Sequence, residues 1–201
     1  APTVLSVPAS KAAAVPKPAL LGGKPAVEGP FPEWPMIEKL DEEKFMDALR
    51  RKAWCCLYDN ITTTFENAWA EKLGAKHCVA TVNGTNSLYA ALYAVEAGPG
   101  DEVLIPPYTF VATLNAILQQ YALPVFVDSD IQTFQMDPKS MEGKITENTR
   151  CVMPVHLGGG VADMDAILQI AQKHKIAVVE DACQSHLSEW KGRRAGSLGD
   201  V

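Results

Sequence analysis

The tripeptide Asn83-Gly84-Thr85 stands between an apolar run and a helix-forming run. Glycine lets a backbone approach a ligand closely, and the free N–H groups of a helix start can hold an anion. The Thr85 hydroxyl adds a donor, so these residues could form a small phosphate cradle. A capped turn and an Asn-x-Thr glycosylation acceptor are the other readings of the same residues. Phe110 follows Pro106-Pro107-Tyr108-Thr109. It is either a core aromatic or an open face on which a planar ring stacks. Asp181 closes the apolar run that ends Glu180-Asp181. Its carboxylate can pair with a protonated ring nitrogen or cap the turn that follows. Gln184 can hydrogen-bond a phenolic oxygen. Each residue is ambiguous alone. Together, in chain order, they suit a phosphorylated aromatic cofactor with a basic ring nitrogen, and pyridoxal phosphate (PLP) has those three features.

A regular rhythm of elements would position them. Residues 78–82, 103–105, 124–127, 150–154 and 176–179 read as short apolar strands. Between them, Leu88, Ala91, Leu92 and Val95 recur at helical spacing. So do Val111, Leu114 and Leu118, after Thr109 as an N-cap, and Met164, Ile167, Leu168 and Ala171, after Asp163 as another. Upstream, Asp41-Glu42-Glu43 opens a helix to about Lys52, and Phe65, Ala68, Trp69 and Leu73 mark one that Gly74 stops. Strands alternating with amphipathic helices predict an α/β fold, a three-layer αβα sandwich around a mostly parallel sheet. In such sheets ligands sit at the carboxyl ends of the strands, where Gly84, Phe110 and Asp181 fall. A dinucleotide site would need Gly-x-Gly-x-x-Gly after a strand. Gly158-Gly159-Gly160 lacks that spacing and reads as a loop.

Composition narrows the class of partner. A net charge of -6, with no Lys/Arg run longer than Arg50-Arg51-Lys52, argues against nucleic acid and membrane surfaces. No apolar run reaches the roughly 18 residues of a membrane span. The five cysteines are odd in number and include no Cys-x-x-Cys, so neither a disulfide framework nor a zinc site is expected. Eight of the fourteen prolines lie in residues 1–35, which makes that stretch a Pro/Ala-rich arm ahead of a domain over 36–201. The expected compartment is cytoplasmic. An exported protein is the alternative if the Ala/Pro-rich start is the remnant of a signal segment.

Longer motifs carry a family resemblance. Gly98-Pro99-Gly100-Asp101-Glu102-Val103, Pro106-Pro107-Tyr108-Thr109-Phe110, Pro124-Val125-Phe126-Val127-Asp128, Pro154-Val155-His156-Leu157-Gly158, Glu180-Asp181-Ala182-Cys183-Gln184-Ser185-His186 and Arg194-Ala195-Gly196-Ser197-Leu198-Gly199-Asp200 occur in order. The chain thereby resembles the DegT/DnrJ/EryC1/StrS aminotransferases. Leu21-Gly22-Gly23-Lys24-Pro25, Pro32-Glu33-Trp34-Pro35 and the run from Gln184 to Trp190 lean toward the glutamine:scyllo-inosose type, the cyclitol branch. The resemblance implies the large domain of PLP-dependent transferase fold type I. It carries Gly84 and Thr85 to the cofactor phosphate, Phe110 to the pyridine ring face, Asp181 to the ring nitrogen and Gln184 to the phenolic oxygen. It implies an amino-acid donor, with glutamine as one candidate, a keto sugar or ketocyclitol acceptor, and a homodimer. The family's Schiff-base lysine is expected after Val201, with the small domain, so no catalytic residue is assigned within the 201 residues and this span alone is expected to be inactive. A dehydratase of the same fold and a non-catalytic PLP-binding homologue are the alternatives. The chain departs from the family at Leu187, where glycine is usual.

Overall fold

The computed structural model describes residues 17–31 and 33–201. The first part of the Pro/Ala-rich arm, residues 1–16, and Pro32 lie outside the described residues. The chain divides after Lys52 into two compact units. In the first, a 3-10 turn at Ala19–Leu21 is followed by α1 (Lys39–Arg50). Glu38 and Asp41 form a reciprocal capping box at the start of α1, and Arg50 sits in its last turn, as the helix dipole favours.

The second unit holds the sheet. Its elements are α2 (Ile61–Leu73), α3 (Gly84–Ala94), β1 (Glu102–Ile105), α4 (Val111–Gln119), β2 (Leu123–Phe126), α5 (Pro138–Glu142), β3 (Thr149–Val152), a 3-10 turn at Leu157–Gly159, α6 (Met164–His174), β4 (Ala177–Val178), β5 (Glu189–Trp190) and β6 (Arg193–Arg194). Strands β2-β1-β3-β4 form one parallel sheet in that order. Side chains alternate across it. Val103, Ile105, Cys151 and Val179 pack with Leu88, Leu92, Ala116 and Ile117 on the face covered by α3 and α4. Leu104, Val152 and Val178 pack with Met141, Met164, Ile167 and Ala171 on the face covered by α5 and α6. The three-layer α/β expectation therefore holds. Each fully buried Leu or Ile of these layers contributes about 1.5–3 kcal/mol. β5 and β6 pair as a separate hairpin, turned by Lys191 and Gly192 at φ 50° and 82°. Positive φ at both turn residues matches the strand twist. Lys191 pairs there with Asp165, consistent with a polar surface role.

One predicted strand fails. Residues 78–82 form no strand, because nothing pairs with their backbone as a ladder among the described residues. The Ala80 N–H turns instead to the Glu66 carboxylate at 2.8 Å. The helix expected from Val111, Leu114 and Leu118 forms; its buried residues are Thr113, Ala116 and Ile117, with Leu114 partly buried against the same core and Val111 and Leu118 exposed. The helix carries two apolar stripes, and the sheet takes the one that includes a threonine. Among the described residues no helix is long and apolar enough to cross a membrane.

Candidate active site

A cleft of about 600 Å³ opens at the carboxyl ends of the strands, lined by Gly84, Thr85, Phe110, Thr113, Asp181 and Gln184 among others. The five residues singled out above therefore meet in one place.

At one end is the start of α3. Asn83 has extended backbone, and its side chain accepts the Asn86 N–H. That satisfies one of the free donors of the first turn. The Gly84 and Thr85 N–H groups have no hydrogen-bond partner among the described residues. A Cβ on Gly84 would meet Cys183 Sγ at 2.8 Å, so the bare backbone is needed to keep this corner open. Along the wall, Phe110 is 67% exposed, which rules out the core reading. It occupies the N-cap of α4, and its backbone is extended. Thr109 does not cap the helix. Its hydroxyl meets the Thr113 hydroxyl at 2.8 Å.

At the far end is Asp181, with its backbone paired to Pro154 and His156 beyond the ends of β3 and β4. Asp181 is 5% exposed. The Thr113 hydroxyl donates to Oδ2 at 2.7 Å, and the Cys183 N–H donates to Oδ1 at 3.2 Å. Thr113 has one hydroxyl proton, and the carboxylate takes it, so Thr109 must donate to Thr113. A relay Thr109 to Thr113 to Asp181 thus fixes the carboxylate. Cys183 lies against it. Burial, the Asp181 charge and the hydrogen bond to Asp181 push its thiol up to about 12. The Gln184 Oε1 accepts the Gly158 N–H at 3.1 Å, which assigns the amide and leaves Nε2 as the available donor. The His186 and Trp69 rings pack edge to face with centroids 6.0 Å apart, and His186 lines the same cleft.

Sequence reading gave no role at the site to Thr109, Thr113 or Gly158. A threonine pair at i and i+4 is the one local signal for the first two. The Gly158 contact joins residues 26 apart and has no local signal.

The DegT/DnrJ/EryC1/StrS aminotransferase family matches residues 35–201. The chain is 42% identical to GDP-perosamine synthase of Caulobacter vibrioides over 73% of its own length and 40% of the relative's. It is 40% identical to a Streptoalloteichus tenebrarius protein provisionally named L-glutamine:3-amino-2,3-dideoxy-scyllo-inosose aminotransferase, over 91% of this chain and 44% of that one. The crystal structure of 3-amino-5-hydroxybenzoic acid synthase matches with a TM-score of 0.82 at 34% identity, covering 84% of this chain and 44% of that one. The Bacillus subtilis protein ntda, solved with bound cofactor pmp, matches with a TM-score of 0.64 at 36% identity, covering 72% and 34%. The chain thus spans less than half the length of these relatives. Their likeness, with the parallel α/β sheet, gives the transferase fold type I expected from the motifs.

Proposed function

Because this chain belongs to the DegT/DnrJ/EryC1/StrS aminotransferase family, we propose that its cleft holds PLP and that the protein moves an amino group from an amino acid to a keto sugar or ketocyclitol. The observation that carries this reading is the convergence of Gly84, Thr85, Phe110, Asp181 and Gln184 on one cleft at the strand ends. The relatives named GDP-perosamine synthase and, provisionally, L-glutamine:3-amino-2,3-dideoxy-scyllo-inosose aminotransferase support the acceptor class. The acceptor itself, glutamine as the donor and a homodimeric assembly belong to the same proposal.

The residues present fit the cofactor. Two unpaired N–H groups and the Thr85 hydroxyl suit a phosphate at the positive end of α3. The corner that a Cβ at Gly84 would fill is open to it. Phe110 offers a ring face. PLP supplies an electron sink when its ring nitrogen is protonated. Asp181 would hold that proton in place, with the Thr113 hydroxyl and the Cys183 N–H holding the carboxylate itself. Gln184 would donate from Nε2 to the phenolic oxygen, because Gly158 already occupies its Oε1. Asp181 itself is 5% exposed, and that burial strengthens the pairing.

The test is Asp181→Asn in the full-length protein. The amide keeps the shape and removes the charge. The expected result is a retained fold with most amination of a ketocyclitol or nucleotide keto sugar lost. Turnover near the wild-type rate would reduce Asp181 to a turn cap.

A further inference from the structure

A second carboxylate lies next to Asp181 and faces the other way, and the chemistry proposed above does not use it. The Glu180 side chain is fully buried and meets the fully buried His156, Nε2 to Oε2, at 2.8 Å. His156 Nδ1 accepts the Ala162 N–H at 3.2 Å, so Nε2 carries the proton and donates it to Glu180. Glu180 also accepts three backbone N–H groups. Gly196 donates to Oε2 at 2.9 Å, and Leu198 and Gly199 donate to Oε1 at 2.5 and 2.6 Å. A Cβ at Gly199 would meet the Val178 carbonyl oxygen at 2.7 Å, so this loop lies directly on β4. A buried ion is a weak source of stability, since its desolvation cost competes with its contacts. What this one does is gather three amides of an irregular segment that no ladder holds.

The other arm of the pair reaches a different loop. His156 anchors Ala162, Gln135 pins both the N–H and the carbonyl of Leu157, and Ser188 donates to the Gly159 carbonyl. Within that loop the Gly158 N–H orients Gln184. Between the two loops the His156 N–H donates to the Asp181 carbonyl at 3.0 Å.

We propose that His156 and Glu180 are positioning residues. They form a buried brace that ties the loop orienting Gln184 to the loop 196–199, across the strand ends that carry Asp181. Their link to catalysis rests on the cofactor reading above; the brace itself does not. It makes a directional demand. Glu180 must accept from every side, and His156 must donate at one nitrogen and accept at the other.

Three variants of the full-length protein separate these demands, read by amide hydrogen exchange without cofactor and by PLP titration. Glu180→Gln turns one oxygen into a donor that faces donors. Exchange of the 196–199 amides should rise about tenfold or more, and PLP affinity should fall by a similar factor. His156→Gln keeps a donor at the Nε2 position and loses the acceptor at Nδ1. It should loosen 157–162 and spare 196–199. His156→Asn keeps the acceptor and loses the donor, and should do the reverse. Equal loosening of both loops in all three variants would mean general core damage and overturn the brace. So would Glu180→Gln with unchanged exchange. Loosened loops with unchanged PLP affinity would overturn the positioning role. If the wild type takes up no PLP at all, the proposed function fails, while the exchange pattern still judges the brace.

Discussion

Thr113→Val would remove one hydroxyl from the middle of the site and leave its shape. Thr113 is fully buried and donates to an Asp181 oxygen 2.7 Å away. Valine leaves that oxygen without the donor and strands the Thr109 hydroxyl behind it. A buried acceptor left unsatisfied costs about 1–3 kcal/mol, with charged groups at the upper end. Valine returns little, since the site already has the volume of threonine. The net expectation is about 2 kcal/mol, or roughly 4–8 °C in Tm for a domain of this size. Thr113→Ser keeps the hydroxyl and loses a methyl group, so it should cost about 1 kcal/mol or less. A double-mutant cycle with Asp181→Asn, read by thermal unfolding, should give a coupling energy of about 1–2 kcal/mol. A valine variant as stable as the serine variant, or a coupling near zero, would refute the relay.

Gly84→Ala should lower PLP affinity by about tenfold through overpacking against Cys183 Sγ, and Gly84→Ala with Cys183→Ala should recover it; a double variant no better than the single would show that the contact is not the cause. Leu187 sits at φ 63°, a region that costs non-glycine residues about 1–2 kcal/mol. Leu187→Gly should therefore raise Tm by about 2 °C after the extra chain entropy of glycine is subtracted, and an unchanged or lower Tm would count against strain there. Burial pushes the Glu180 carboxyl up, but the hydrogen bonds from His156, Gly199, Gly196 and Leu198 outweigh it and hold it below its ordinary value of 4.5. A depressed folded value contributes stability that is fully present above 4.5 and is lost as pH falls through the folded value. Acid unfolding should be less steep below pH 4.5 in Glu180→Gln than in wild type, and an equally steep limb in both would contradict this.

Most of the alternation of strands and helices was legible because the two carry different periods, although the cap expected at Thr109 does not form. α6 forms where Asp163 and the Met164, Ile167, Ala171 stripe predict it, with the Asp163 side chain accepting the Ala166 N–H. The ligand end of the sheet was legible at Phe110 and Asp181, which follow strands or their exits, whereas Gly84 is placed by the start of α3 and not by a strand before it. What the letters hid is long-range. The choice between two stripes on α4 is made by the sheet it packs on, and it brings Thr113 beside Asp181, 68 residues away. The run at 78–82 has strand composition, but a strand exists only when a neighbour accepts its backbone. The paired Glu180-Asp181 reads as two similar acids. The sheet sends one to the cleft and the other into the core, because successive side chains face opposite sides.

The account rests on one orientation of one cofactor, and a crystal structure of the full-length protein grown with PLP tests it most directly. The phosphate should accept the Gly84 and Thr85 N–H groups, the ring should lie on Phe110, the ring nitrogen should lie within hydrogen-bond distance of Asp181, and the phenolic oxygen should meet Gln184 Nε2. Cofactor density elsewhere, or a ring turned so that Asp181 faces no nitrogen, would contradict it.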